Sequence, residues 1–167
     1  MNNTIIETTQ ETARTDEAPD GRIVVGVDGS EASKRALRWA QFLAETTGGH
    51  VEAVMVWQSV PSYAWAGAFW GSVPGEADPA AIAAKILTAT VDEVFGSTRP
   101  ATLQTVEVEG GASEVLLTLA RGARMLVVGS RGHGGFAGLL LGSVSAACAE
   151  HATCPVLVIH GTTPPPA

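Results

Sequence analysis

Cysteine is nearly absent from this chain: Cys148 and Cys154 are its only thiols, alongside four scattered histidines. That inventory excludes a zinc-finger or zinc-ribbon pattern. Two thiols with no framework around them read as small, partly buried side chains in a reducing compartment, with a disulfide as the competing reading. No Gly-Lys dipeptide occurs, which removes the Walker A phosphate loop. No Gly-x-Ser-x-Gly occurs either, which removes the serine-hydrolase elbow. No apolar run approaches the roughly 18 residues of a membrane span, and the polar, acidic start of the sequence has no apolar stretch of the signal-peptide kind. A cytoplasmic location is the expectation. Charged residues make up only 16% of the chain and the net charge is −7, so no basic stripe is available for nucleic acid or anionic lipid.

What is present is apolar and ordered. Hydrophobic residues make up 46% of 167 residues, enough for a single domain with a real core. Residues 1–20 hold five acidic side chains against Arg14, a net −4, and show no period, so they read as a disordered acidic tail. Residues 161–167, with Pro164-Pro165-Pro166, read as a flexible second tail. The folded domain is expected over 21–160.

Inside it, strand and helix signals alternate. Ile23 to Val27 is a continuous apolar run, the mark of a strand buried on both faces. Asp28 or Ser30 can cap a helix from Glu31 to Thr47, and Gly48-Gly49 stops it. Val51 to Trp57 is a second strand. Asp78-Pro79 opens a helix that Gly96 ends. Ala101 to Glu109 is a third strand, Ala112 to Ala123 a helix and Met125 to Val128 a fourth strand. A helix from Ser143 to Ala152 and a strand from Pro155 to Ile159 complete the series. Repeated βαβ units with apolar strands predict an α/β fold: an open parallel sheet with helices on both faces. Ligands in such sheets bind beyond the strand C-termini where strand order reverses. The stretch Gln58 to Gly75 breaks the alternation. It carries Tyr63, Trp65, Phe69 and Trp70, and reads as a surface loop or a binding segment.

The sharpest signal is Gly129-x2-Gly132-x9-Gly142-Ser143, directly after the fourth strand. Glycines let backbone N–H groups crowd an anion, and a helix N-terminus adds free donors and a favourable dipole. Gly132-x-Gly134-x-x-Ala137 partly matches a dinucleotide fingerprint, but only one strand follows it, too few for a second Rossmann half.

With Val127 to Gly135, Leu140 to Ser145, His151 to Ile159 and Val25-Gly26-Val27-Asp28-Gly29-Ser30, the chain resembles the universal stress protein family, in its ATP-binding branch. The resemblance covers about Arg22 to His160. It implies a five-stranded sheet in the order 3-2-1-4-5 and a homodimer paired through the last strand. It implies that Asp28 meets the adenosine end of the ligand and that Val56 lines the adenine. Val128 and Gly129 fall on the ribose side. Gly132, Gly142, Ser143 and Val144 fall on the phosphate side, acting largely through backbone N–H groups, with the Ser143 hydroxyl as a further donor. Ser143 is also a good N-cap in its own right.

The function so implied is a nucleotide-dependent regulator of the stress response that binds ATP with Mg²⁺ on the phosphates. No residue pattern supplies a catalytic base, so hydrolysis is expected to be slow or undetectable. Two alternatives stay open: a weak ATPase or phosphotransferase assisted by Asp28 or His133, and a cyclic-AMP-binding module. Protein partners leave no readable motif. Arg131 and His133 sit within the loop, either near phosphate or as solvated charges.

Overall fold

The computed structural model describes residues 20–59, 78–132 and 140–166. The acidic tail before Asp20, the aromatic stretch beyond Ser59, and His133 lie outside the described residues.

Five parallel strands form one sheet in the order β3-β2-β1-β4-β5. In chain order the elements are β1 (Arg22–Gly26), α1 (Glu31–Thr47), β2 (His50–Trp57), α2 (Pro79–Phe95), β3 (Leu103–Glu109), α3 (Ala112–Leu119), β4 (Met125–Gly129), α4 (Ser143–His151) and β5 (Val156–Ile159). The order reverses between β1 and β4, which pair through Ile23, Val24 and Val25 against Met125, Leu126 and Val127. The loops that leave these two strands therefore meet at one rim.

Alternation along the strands assigns the two faces. Ile23, Val25, Val51, Ala53 and Val127 pack with Leu37, Ala40 and Leu87 of α1 and α2. Val24, Val54, Leu126 and Val128 pack on the opposite face with Leu116 of α3 and Cys148 of α4. Full burial of each such Val or Leu contributes about 1.5–3 kcal/mol. The same face carries a charge at the far rim: Glu52 is buried in β2 and accepts a hydrogen bond from Arg22 Nη1 at 3.2 Å.

Local signals explain the element ends. Ser30 caps α1 by accepting from Ser33 N, and Gly48 ends the helix in the left-handed region at φ 66°. Asp78 caps α2 by accepting from Ala80 N, with Pro79 in the first turn. Strand β3 starts later than expected, because Leu103 N donates to Pro100 O and residues 101–102 form a turn. Helix α3 ends at Leu119 rather than Ala123. Short-range bonds from Arg121 N to Thr118 O and Ala123 N to Ala120 O tighten the chain there, and Gly122 turns it at φ 74°. Beyond β5, residues 161–166 carry no helix or strand, but the Trp39 indole of α1 donates to Thr163 O at 3.2 Å.

Candidate functional site

The loop after β1 is built around Asp28. Val27 N donates to Val54 O at 2.8 Å, which holds the loop against β2. Asp28 Oδ1 accepts from both Ser30 N (3.0 Å) and Ser30 Oγ (2.6 Å). Ser30 in turn accepts from Ser33 N, and Ser33 Oγ accepts from Asp28 N and donates to Ser30 O. The cap of α1 is thus Ser30, and Asp28 orients it rather than capping the helix directly.

The loop after β4 is anchored by its main chain. Ser130 N donates to Ile159 O at 2.7 Å. Ser130 O accepts from Gly142 N at 2.7 Å and from Ser145 Oγ at 2.9 Å. These bonds clamp the exit of β4 to the entry of α4. The N-cap of α4 is Gly142, with no side-chain cap bond, so Ser143 is the first helical residue and not the cap that its residue type suggests. The first bond of the helix runs from Ala146 N to Gly142 O. The N–H groups of Ser143, Val144 and Ser145 precede it and have no intrahelical partner. Gly142 differs from them, since its own N–H is committed to Ser130 O. It serves the site as a cap without a side chain, not as a donor.

Two glycines bring surfaces together. A Cβ on Gly129 would lie 2.8 Å from Ala32 Cβ and 2.9 Å from Ala32 C, so β4 ends directly against the first turn of α1. A Cβ on Gly132 would collide with the Asp28 carboxylate. The loops after β1 and β4 therefore touch, as adjacency of their strands requires.

Between them lies a cavity of about 490 Å³, within the usual size range of small-molecule sites. Asp28, Val56, Val128, Gly129, Gly132, Gly142, Ser143 and Val144 all line it, although they come from four separated stretches of sequence. Sequence reasoning did not single out Val54, Leu116 and Ser145. Val54 was accessible from Val56, because residues two apart on a strand share a face. Leu116 and Ala112 come from α3, whose approach depends on packing that no local motif reports. Ser145 is buried and holds Ser130 O and Gly142 O, a bracing role for which the only sequence signal is a serine at the third position after Gly142.

Among the described residues the wall is mostly apolar, with one carboxylate, Asp28, and one cation, Arg131. Both cysteines are free. Burial pushes the Cys148 thiol up to about 11 and raises that of Cys154, so neither is an activated nucleophile. Among the described residues no group of three or more His, Cys, Asp or Glu side chains could hold a metal ion, and no helix is long and apolar enough to cross a membrane.

Comparison with known proteins agrees with this architecture. A universal stress protein from Mycolicibacterium smegmatis is 32% identical over 140 residues, which is 83% of this chain and 48% of that protein. Universal stress protein Rv2623 from Mycobacterium tuberculosis is 32% identical over 136 residues, 81% of this chain and 44% of the relative. The chain spans about half the length of these curated relatives. Among solved structures, a universal stress protein in complex with cAMP has 29% sequence identity and a TM-score of 0.52, covering 83% of this chain and 95% of that one. UspA from Lactobacillus plantarum superposes with a TM-score of 0.60 at 21% identity, covering 86% of this chain and 100% of that one, and supports the fold alone. The profile of the universal stress protein family matches residues 21–160, and the chain belongs to that family.

Proposed function

We propose that the cavity at the β1–β4 rim binds an adenine nucleotide, ATP foremost, and that the protein acts as a nucleotide-dependent regulator of the stress response. The observation that carries this reading is the convergence of Asp28, Val56, Val128–Gly129, Gly132 and Gly142–Val144 on one cavity. The relative solved with cAMP, at 29% identity, supports a nucleotide as the ligand class.

The residues fit such a ligand. Val54, Val56 and Leu116 offer an apolar slot for a base. The Asp28 carboxylate suits hydrogen-bond donors of the adenosine end and disfavours phosphate beside it. The N–H groups of Ser143 and Val144, with the Ser143 hydroxyl, suit the phosphates. Gly132 and Gly142 leave room for a close approach. Mg²⁺ would ride on the phosphate oxygens and complete its shell with water, since Asp28 is the only carboxylate on the wall among the described residues. Asp28 Oδ1 already accepts two bonds from Ser30, which fits orientation better than proton abstraction. Hydrolysis is therefore expected to be slow or undetectable. A robust turnover abolished by Gly142→Val would overturn that.

The test is a thermal-shift series with ATP, ADP, AMP and cyclic AMP, each with and without Mg²⁺. A ligand at 100 times its dissociation constant adds about 2.7 kcal/mol and raises the melting temperature visibly. No shift with any of them removes the nucleotide reading. A shift with cyclic AMP alone supports the second reading, a cyclic-nucleotide module, which the cAMP-bound relative favours.

The working unit is proposed to be a homodimer in a cytoplasmic setting. Strand β5 lies at the edge of the sheet, and its residues Val156, Leu157 and Val158 are only half buried. Pairing with a second copy would cover that edge. Sedimentation at micromolar concentration should give a dimer, and a monomer refutes it.

A further inference from the structure

We propose that Arg131 is the specificity-determining residue that grades ligands by phosphate charge, so that open-chain adenine nucleotides are preferred over cyclic ones. The inference rests on the nucleotide reading above and extends it to the choice among nucleotides.

Among the described residues Arg131 is the one cation on the cavity wall. Its side chain is exposed and has no ion-pair partner among the described residues. Its position is fixed by main-chain bonds. Ser130 O accepts from Gly142 N, and a Cβ built on Gly142 would lie 3.7 Å from Arg131 Cα. The Arg131 backbone therefore lies beside the open N-terminus of α4. The helix has no acidic residue in its first turn and no side-chain cap. Arg131 thus shares the cavity wall with the fixed N–H donors of α4, and the Asp28 carboxylate lies against Gly132.

The ligands differ in what they present to this pair. A terminal phosphate carries a charge of about −1.5 to −2 and three acceptor oxygens, whereas a cyclic phosphodiester carries one charge. Fixed N–H groups can satisfy either. A guanidinium can fork onto two unesterified oxygens of either, and it gains more from the higher charge of the terminal phosphate.

The experiment is calorimetric titration of the full chain with adenosine, cyclic AMP, AMP and ATP, for the unaltered protein, Arg131→Gln and Arg131→Lys. ATP affinity should fall about tenfold in Arg131→Gln, and cyclic AMP affinity should fall by about twofold or less. Adenosine should be unaffected, and Arg131→Lys should retain part of the preference. The proposal is overturned if Arg131→Gln leaves the ATP to cyclic AMP ratio unchanged while either still binds. If the unaltered protein binds no adenine ligand, the nucleotide reading itself fails and this proposal falls with it. Unliganded melting temperatures verify folding, and Arg131 is exposed enough for both variants to keep them.

Discussion

Helices α1 and α4 begin at the same rim of the sheet, and the chain treats their positive ends in opposite ways. At α1 the end is closed. Ser30 accepts from Ser33 N, Asp28 holds Ser30, Glu31 stands in the first turn, and Gly129 packs β4 against Ala32. At α4 the cap is a glycine without a side-chain bond, the first turn has no acid, and the N–H groups of Ser143, Val144 and Ser145 are left to the cavity. The other two helices fall between: α2 is capped by Asp78, and α3 has Glu114 in its first turn. Orphan donors at a helix end need partners. At α1 the protein supplies one, the Ser30 hydroxyl for Ser33 N, and at α4 a ligand anion is the partner whose chemistry fits.

The two ends should therefore respond differently to equivalent changes. Gly129→Val tests the closed end most severely. Its Cβ would press on the backbone of Ala32, and stability should drop by roughly 3 kcal/mol or more in a denaturant melt. A variant as stable as the unaltered chain would mean that α1 does not need β4 so close. Gly142→Val tests the open end. A Cβ there meets Ser130 O and Ser145 Oγ at an ordinary 3.6 Å, and φ of −73° suits any residue. Stability should change by no more than about 1 kcal/mol, while ATP affinity should fall at least about tenfold. Unchanged ATP binding would separate the cavity from the phosphates.

A gentler pair sharpens the contrast. Ser30→Ala removes a working cap and should cost about 1 kcal/mol of stability. Ser143→Ala removes an exposed hydroxyl from the first position of α4, and stability should stay within about 0.5 kcal/mol. Nucleotide affinity should weaken by only a few-fold, since the N–H groups remain. If both serines affect stability equally, the distinction between a closed and an open end is lost.

The smallest effect concerns Cys148, on the cavity side of the sheet. Its folded thiol sits near 11 against an ordinary value of 9.0, because burial opposes the thiolate. A raised folded value stabilises the fold below about pH 9, and that contribution is lost as pH rises through about 11. Alkylation at pH 8 should therefore label the half-buried Cys154 before the buried Cys148. Equal labelling of the two in folded protein would show that this layer opens readily.

Most of this architecture was legible where chemistry is local. The bounds of α1 follow from a serine before its first residue and a glycine after its last, and Asp78-Pro79 announces α2. Apolar runs at β1 and β4 identify strands covered on both faces. Legibility failed where geometry is set at a distance. Gly142 takes the cap of α4 because Ser130 O, twelve residues back, captures its N–H. The fate of that one N–H also changes the part Gly142 plays, from donor to spacer. The glycines of the motif looked equivalent in sequence. Their surroundings separate them, since Gly129 is required by a close backbone contact, Gly132 lies against the Asp28 carboxylate, and Gly142 is compatible with a larger residue in the unliganded fold.

The hydrogen bond from Trp39 to Thr163 has an optical consequence. An indole whose N–H is held by a carbonyl emits differently from one whose N–H faces water alone. Trp39 also stacks edge-on to Phe42, with ring centroids 6.0 Å apart, so its surroundings on α1 are defined. With the other three tryptophans replaced, its fluorescence would report whether the end of the chain lies against α1 or has come away. The molecule thus carries its own probe for the segment that follows its edge strand.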